Sequence, residues 1–303
     1  MAKQTADDIR QTITNTIIES LEAGGLPAWR KPWASDPNGL GLATSLSTGQ
    51  PYRGVNQLIL QCLAIKHGYQ SKWFGTFNQI KQAGSMVKKG EKSIKVVLWK
   101  PISRERTNEK GEEVKDKFLM MRQFSVFNVE QSTGLEQFRI GYAQPSDTIF
   151  ERFEAMDRLI ASVGIDLREG GNKAFYSPGG DYVQMPLRGQ FESSETYYQT
   201  LAHEMIHWSE KRIGFDRANE DNAYALGELV AELGASFLLA ELGLPASEND
   251  NHAAYLDHWL QAMKGDTKFI FRAAATASKA VDFLLSHVRT SEEQPVSETV
   301  GTP

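Results

Sequence analysis

The stretch His203-Glu-Met-Ile-His207 decides how the second half of this chain is interpreted. Two histidines four residues apart lie on one face of a helix, so their side chains can bind the same metal ion. The intervening Glu204 can then act as a general base toward a water molecule. A helix around the motif is supported by Ser193 or Ser194 as its N-cap. The pattern predicts a zinc hydrolase site, and the alternative is a pair of surface histidines on an amphipathic helix.

A third metal ligand is predicted on the following helix, which ends at a glycine. Glu228 and Glu232 are four residues apart in an otherwise apolar segment, so they share one helical face. A buried carboxylate needs a compensating partner, and a metal ion supplies one. Gly227 and Gly234 predict that this helix approaches the His203 helix closely, because glycine has no side chain to separate the backbones. Two solvent-facing glutamates are the alternative.

The composition places limits on the protein. A length of 303 residues suggests two domains with a substantial core. The single cysteine, Cys62, lies in an apolar run and excludes a disulfide framework. The polar N-terminal residues do not resemble a signal peptide, and no apolar run is expected to reach transmembrane length. We therefore expect a soluble protein of a reducing compartment.

Charge is distributed unevenly between the two halves. Residues 1–140 contain 20 Lys and Arg against 13 Asp and Glu, whereas residues 141–303 contain 13 against 25. Between Arg53 and Lys100 there are nine Lys and Arg and one acidic residue, with aromatic residues interleaved. Cations that follow a phosphate backbone, together with rings on which bases stack, are typical of a single-strand binding surface. The predicted DNA-binding residues are Trp29, Arg30, Lys31, Trp33, Arg53, Lys72, Trp73, Lys88, Lys89, Lys92 and Lys95.

The same residues have a structural interpretation. A lysine-rich run is usually a solvated face, and aromatic residues at this density are often core. Helical spacing predicts core positions at Phe74, Phe77 and Ile80, and strand alternation predicts core positions at Val96, Leu98, Phe124 and Val126. The sequence leaves both interpretations open.

The hydrophobic periodicity predicts an α+β protein of two domains. The first, residues 1–134, is an α+β nucleic-acid-binding domain with helices over 7–22, 54–67 and 73–83, and strands over 93–99 and 118–129 around an exposed loop at 103–116. A linker covers 135–146. The second domain, 147–289, is mainly helical with a small sheet of two short strands in 174–186 and a final helical stretch over 253–287, and 290–303 is a disordered tail.

The chain resembles ArdC-type antirestriction proteins over residues 5–285. The first half is similar to their single-stranded-DNA-binding domain in the segments 29–33, 51–56, 87–92 and 124–131. The second half resembles their zincin-like metallopeptidase domain in the segments 174–186, 197–208 and 228–237. Glutamate-ligand zincins follow HExxH with Glu-x-x-x-Asp, so the resemblance implies Glu228 as the third ligand and Glu232 as the residue that orients a ligating histidine. Because Glu232 is one methylene longer than the family's Asp, the two glutamates could exchange roles.

The resemblance also implies a function. Such proteins are carried by conjugative plasmids, bind single-stranded DNA and shield incoming DNA from host restriction endonucleases. The implied cofactor is one divalent metal, Zn²⁺, with Mn²⁺ or another divalent ion as alternatives. The implied partners are single-stranded DNA and either a protein substrate on DNA or a restriction endonuclease, with no membrane. The implied location is the bacterial cytoplasm, with transfer into the recipient cell during conjugation as an extension.

Three hypotheses remain open from the sequence. The protein could be a DNA-directed metallopeptidase, for which His252, Tyr255 and His258 are candidate oxyanion donors. It could instead be a DNA-binding occlusion module whose metal site is only structural, with no proteolysis needed. A protease without a nucleic-acid role is the third hypothesis.

Overall fold

The computed structural model describes residues 5–23, 38–107, 113–142, 149–216, 222–244 and 253–292. Contacts along the chain separate two compact units. The first comprises Met1–Ser20, Asp36–Tyr52 and Asn56–Gln144, and the second comprises Leu21–Ser35, Arg53–Val55 and Pro145–Pro303. The described elements confirm the predicted α+β class and its two-domain organisation. The predicted boundaries at 134 and 147 stay predictions.

The first unit combines three helices with small sheets. Its helices are α1 (Ala6–Glu22, within this unit as far as Ser20), α2 (Val55–His67) and α3 (Phe77–Gln82). Its strands are β1 (Thr44–Ser45), β2 (Trp73–Gly75), β3 (Met86–Val87), β4 (Ile94–Thr107), β5 (Glu113–Asn128) and β6 (Ser132–Thr133). The main sheet has the order β1-β2-β5-β4, and β3 pairs with β6.

The antiparallel pair of β4 and β5 dominates the main sheet. Its register runs from Ile94 opposite Val126 to Thr107 opposite Glu113. The outer edge of β4 is covered at Val97, whose backbone N–H donates to Asn56 Oδ1 (2.8 Å) and whose carbonyl accepts from Asn56 Nδ2 (2.7 Å). This side chain satisfies backbone groups that an edge strand would otherwise leave for another chain.

Two predictions about the first unit are wrong in their extent. The predicted helix over 73–83 begins only at Phe77, because Trp73–Gly75 pairs with β1 and β5 as a strand. Thr76 starts the helix by accepting from the backbone N–H of Gln79, whose side chain accepts from Thr76 in return. The predicted loop at 103–116 is shorter as well, since β4 continues to Thr107 and β5 starts at Glu113.

The core predictions for this unit are partly confirmed. Phe74, Ile80, Val96 and Val126 are buried, as is Cys62. In contrast, the structure exposes three positions that were predicted to be core: Phe77, Leu98 and Phe124. The alternating pattern in β4 and β5 therefore continues beyond the part of the sheet that is packed against the core.

The second unit is mainly helical. Its helices are α4 (Ile149–Val163), α5 (Ser194–Glu210), α6 (Ala223–Glu241), α7 (Ala253–Gly265) and α8 (Phe269–Glu292). Its strands are β7 (Asp166–Glu169), β8 (Phe175–Ser177) and β9 (Tyr182–Met185), in the order β7-β9-β8. The two strands predicted in 174–186 are confirmed, and β7 is an additional strand that pairs parallel to β9.

The predicted final helical stretch is two helices. Asp266 interrupts it, because its carboxylate accepts from the backbone N–H of Lys268 and its carbonyl accepts from that of Phe269. The helix α8 then runs to Glu292, beyond the predicted start of the tail at 290, and residues 293–303 lie outside the described part of the chain.

Helix α6 forms the centre of the second unit. Its apolar residues Leu226, Leu229, Val230 and Leu233 are fully buried. By length and composition this helix could cross a membrane, contrary to the expectation from the sequence, but 72% of its most apolar window is buried in the structure. Burial of this kind is typical of a core helix. Because charged side chains are costly in a core, a buried helix is expected to carry few of them.

Candidate functional site

Helix α5 positions both histidines of the motif. Its N-cap is Ser193, whose hydroxyl accepts from the backbone N–H of Thr196 (3.2 Å). After the helix, Gly214 adopts φ of 69°, a conformation that suits glycine. Both features confirm the predicted helix. His203 and His207 lie on the same face, with their ring centroids 4.9 Å apart.

Helix α6 brings Glu228 to these two imidazoles. One carboxylate oxygen lies 3.6 Å from His203 Nε2, and the other lies 3.7 Å from His207 Nε2. The three ligand atoms all lie within 4.8 Å of one another. Two ligands on one tetrahedral zinc ion, each at ~2.1 Å, are about 3.4 Å apart. The observed spacing therefore fits three ligands around a single metal ion with one coordination position left open.

Glu204 contacts the small sheet through its carboxylate. Its Oε2 accepts from the backbone N–H of Tyr176 in β8 (2.8 Å). The turn between β8 and β9 is tied to the end of α5, because Asp181 accepts from both the Tyr176 hydroxyl (2.9 Å) and Arg212 (2.7 Å). The guanidinium of Arg212 in turn lies over the Trp208 ring. These contacts hold the Tyr176 amide where it orients Glu204.

Glu210 orients His207 from the side opposite the ligand face. Its Oε1 lies 2.9 Å from Nδ1 of His207, and the side chain is 11% exposed. A carboxylate on Nδ1 fixes the tautomer in which Nε2 is free of a proton and can bind a metal. Sequence reasoning missed this residue, although its i,i+3 spacing from His207 was a usable signal. The Tyr176 amide was also missed, and no sequence signal connects it to Glu204.

Glu232 is buried near His203. Only 3% of the residue is exposed, and its charge acts on the His203 imidazole. Burial by itself lowers the pKa of His203. The contact with Glu228 and the charges of Glu204 and Glu232 raise the pKa by more than burial lowers it, so that it lies above its ordinary value. The site thus concentrates negative charge around two imidazoles, an environment that favours a bound cation. Glu228 reaches both imidazoles, in line with its predicted role as third ligand. The exchange of roles between Glu228 and Glu232 stays an alternative.

A pair of tyrosines lies close enough to be influenced by the site's charges. The hydroxyls of Tyr224 and Tyr255 are 3.0 Å apart. This hydrogen bond, burial and the charges of Glu228 and Glu204 raise the pKa of Tyr255 to about 12. Tyr255 therefore keeps its proton at neutral pH and can donate it in a hydrogen bond. Of the other candidate donors, His258 is exposed and His252 lies outside the described residues.

The structure places the predicted DNA-binding residues in different environments. Arg53 belongs to the second unit, where it forms ion pairs with Glu241 and Asp282. The Trp73 indole donates to Asn38 and packs edge-on against Phe138, as a core aromatic does. Residues 29–33, which include Trp29, Arg30, Lys31 and Trp33, lie outside the described part of the chain.

The lysines of the basic segment remain at the surface. Lys88 donates to the Glu130 carbonyl (2.9 Å), and Lys95 donates to Ser125 (2.5 Å). Lys89 and Lys92 are exposed around the turn at Gly90. Lys72 lies 5.5 Å from the centre of the Trp73 ring. A role of these lysines in DNA binding stays a prediction.

Fold and site together define a zincin-like metallopeptidase domain preceded by a second domain. Residues 154–276 match the family described as zincin-like metallopeptidase. Residues 7–127 match the N-terminal domain of the anti-restriction factor ArdC. The chain belongs to the ArdC antirestriction family.

Solved structures of a relative support this assignment. The metal-free crystal structure of antirestriction protein ArdC from plasmid R388 is 39% identical and superposes with a TM-score of 0.77, covering 93% of this chain and 98% of that one. Its Mn(II)-bound structure is 37% identical, with a TM-score of 0.74, and covers 92% and 98%. The zincin-like domain and the Mn(II)-bound relative together support a divalent metal in this family.

Two curated relatives differ in length. The uncharacterized protein y4eC of Sinorhizobium fredii is 34% identical over 302 residues, which are 96% of this chain and 95% of that protein. DNA primase TraC of Escherichia coli is 32% identical over 97% of this chain, but the match spans only 28% of TraC. The chain therefore matches part of a longer protein in TraC.

Proposed function

We propose that this protein binds single-stranded DNA through its first unit and protects incoming DNA from restriction endonucleases, and that its second unit is a metal-dependent peptidase. The convergence of His203, His207 and Glu228 around one position, with Glu204 beside them, carries the enzymatic part. The similarity to antirestriction protein ArdC and to DNA primase TraC supports a role on plasmid DNA in the bacterial cytoplasm.

We propose Zn²⁺ as the resident ion, held by His203, His207 and Glu228. Two imidazoles and one carboxylate with a remaining open position are the ligand set of catalytic zinc sites. Mn²⁺ is the alternative, because the R388 relative is known with Mn(II) bound. When bound, either ion acts as a Lewis acid that activates water and polarises a carbonyl. Metal analysis of protein purified without added metal distinguishes the two.

Glu204 would move the proton in such a reaction. Its Oε2 accepts from the Tyr176 amide, which leaves Oε1 to take a proton from the attacking water and to pass it to the leaving amine. Tyr255 would donate a hydrogen bond to the carbonyl oxygen of the substrate as negative charge develops there. Tyr224 positions the Tyr255 hydroxyl through the contact between the two side chains.

The decisive experiment for the enzymatic part is Glu204→Gln. Glutamine has nearly the same shape and keeps an oxygen for the Tyr176 amide, but it cannot take a proton. We expect the variant to bind metal as the wild type does, and to lose both peptidase activity and protection of DNA in a conjugation assay with a restricting recipient. Unchanged protection in this variant would show that proteolysis is not required.

A second candidate function is protection by occupancy, with the metal as a structural brace. The observation that favours it is that the predicted ligands join α5 to α6, so an ion there would tie together two core helices. In that case Glu204→Gln protects fully, whereas variants that weaken DNA binding protect less in proportion to their affinity.

A further inference from the structure

The strands β4 and β5 present an exposed face that combines apolar and cationic side chains. Residues directly opposite each other in an antiparallel pair project to the same side of the sheet. Phe124 is opposite Val96, Arg122 is opposite Leu98, and Met120 is opposite Lys100. These residues therefore share one face, which we call the ribbon face.

The ribbon face changes from buried to exposed along its length. Val96 is buried, but Leu98 is 51% exposed, Phe124 is 42% exposed and Met120 is 37% exposed. Lys100 and Arg122 are exposed as well. Large apolar side chains that are clustered and exposed mark interaction sites more often than isolated ones do. Their spacing is that of core residues, yet the described part of the chain leaves them accessible to a partner.

The opposite side of the same strands has a different environment. Val97 there is buried, and the Trp99 ring lies 5.6 Å from the guanidinium of Arg10 in α1. Trp99 is itself 40% exposed, so both sides of the strand pair carry an exposed ring. On the ribbon face the ring is that of Phe124, and the exposed cations Arg122 and Lys100 lie beside it.

The charge of this region selects the kind of partner. No acidic residue occurs at positions 94–102 of β4 or 118–126 of β5, whereas Lys100 and Arg122 on the ribbon face are cationic. A second copy of the chain would bring Lys100 and Arg122 toward like charges, which disfavours self-association through this face. A polyanion with flat apolar groups matches both features, since phosphates pair with the cations and bases stack on the ring.

We infer that the ribbon face binds single-stranded DNA, with Phe124 stacking on a base, Leu98 and Met120 packing beside it, and Arg122 and Lys100 contacting phosphates. This inference rests on the proposed DNA-binding function and locates its surface. Strand side chains at i and i+2 are about 7 Å apart, so Phe124 and Arg122 can contact neighbouring parts of one strand at the same time.

The central test replaces the ring while keeping its apolar character. Phe124→Leu removes the π face, and Phe124→Tyr retains it. Binding is measured as the fluorescence anisotropy of a labelled oligothymidylate at low salt. We expect Phe124→Leu to bind about 10-fold more weakly and Phe124→Tyr to bind as the wild type does. The matched control is Phe77→Leu, which changes another exposed phenylalanine of the same unit and should leave the affinity unchanged.

The phosphate contacts have a separate signature. In Arg122→Gln combined with Lys100→Gln, the slope of log K against log salt should become shallower by about 0.7 for each phosphate that the variant no longer neutralises. Thermal melts of every variant establish that folding is intact, which exposed positions should permit.

Each outcome decides between the proposals. If the wild type does not bind the oligonucleotide, both the proposed DNA-binding function and this inference fail. If the wild type binds and Phe124→Leu binds equally well, the function stands and the ribbon face is not its surface. Weakening only by neutralisation of Lys88, Lys89 and Lys92 would place the DNA at that turn instead. A wild-type dimer that Phe124→Leu dissociates in sedimentation would make the face a self-interface and overturn the inference.

Discussion

Gly234 of α6 lies against Ile206 of α5 at a distance that only a glycine allows. A methyl group built on Gly234 would come within 2.7 Å of both Cδ1 and Cγ1 of Ile206. Ile206 immediately precedes His207, and Gly234 lies on the helix that carries Glu228. The packing of the Ile206 side chain on the Gly234 backbone therefore contributes to the spacing of the two helices that carry the three predicted ligands.

Gly234→Ala should weaken metal binding. The added methyl overpacks the contact with Ile206, which costs about 1–3 kcal/mol. Alanine has the higher helix propensity, but this gain of about 1 kcal/mol does not outweigh the cost of overpacking. We expect a lower melting temperature and a reduced metal affinity, measured by competition with a fluorescent chelator. The matched control is Gly265→Ala, where a methyl group meets nothing within 4 Å. Adding Ile206→Val should recover part of the deficit, and a Gly234→Ala variant that binds metal normally would contradict this role.

Glu210→Gln should lower metal affinity without unfolding the protein. The amide oxygen of glutamine accepts from Nδ1 more weakly than a carboxylate does, and its NH2 group can donate to Nδ1 and favour the other tautomer. Loss of such a carboxylate beside a ligating histidine commonly lowers metal affinity about 10- to 100-fold. Chelator competition measures the change, and circular dichroism confirms the fold. Glu192→Gln serves as the control, because Glu192 is an exposed glutamate of the same unit. Equal affinity in Glu210→Gln and Glu192→Gln would mean that the contact with His207 does not position the ligand.

Removal of the metal should lower the melting temperature. An ion that binds only the folded state stabilises it by about 2.7 kcal/mol when its free concentration is 100 times the dissociation constant. We expect calorimetry to show a decrease of several degrees on chelation of wild-type protein and none for His203→Ala. A wild-type melting temperature that does not respond to chelation or to added Zn²⁺ and Mn²⁺ would argue against a metal at this site.

Tyr255→Phe should reduce peptidase turnover while leaving metal affinity unchanged. Removal of one hydrogen bond to a developing oxyanion costs about 100-fold in kcat. Because the pKa of Tyr255 is raised to about 12, its hydroxyl stays protonated at neutral pH, and the ratio of wild-type to variant activity should be constant there. Tyr224→Phe should show a smaller decrease, and the exposed Tyr142→Phe none. A ratio that changes across neutral pH would assign the titrating donor to another group.

Cys62 should be unreactive in the folded protein at neutral pH. It is 3% exposed, and burial raises the pKa of its thiol from 9.0 to about 11. We expect iodoacetamide to label the protein only in urea, as followed by mass spectrometry. The neutral thiol contributes to stability below pH 9 and loses that contribution as the pH rises toward 11, so Cys62→Ala should lack this part of the alkaline destabilisation. Rapid labelling under native conditions would show that α2 opens locally.

The sequence determined local structure correctly in segments where a single spacing pattern or turn signal had no competing pattern. Helix α5 with its cap at Ser193, and the two strands around Asp181, follow from short-range spacing and turn chemistry. Glu228 could be predicted as a metal ligand because a carboxylate on an apolar helix requires a partner. The HExxH motif predicts a metal ion on the preceding helix, which supplies that partner. Glu210 could have been found by the same i,i+3 reasoning.

Tertiary structure alone decided which faces were covered. Leu98 and Phe124 have the alternation of core residues, but β4 and β5 extend past the part of the first unit that buries them. Trp73 lies in a segment with helical spacing, yet pairing with its neighbouring strands makes it part of a sheet. The Tyr176 amide reaches Glu204 across 28 positions of sequence, a relation that no local pattern encodes. Periodicity specifies which side chains share a face, whereas burial depends on what the rest of the chain brings to that face.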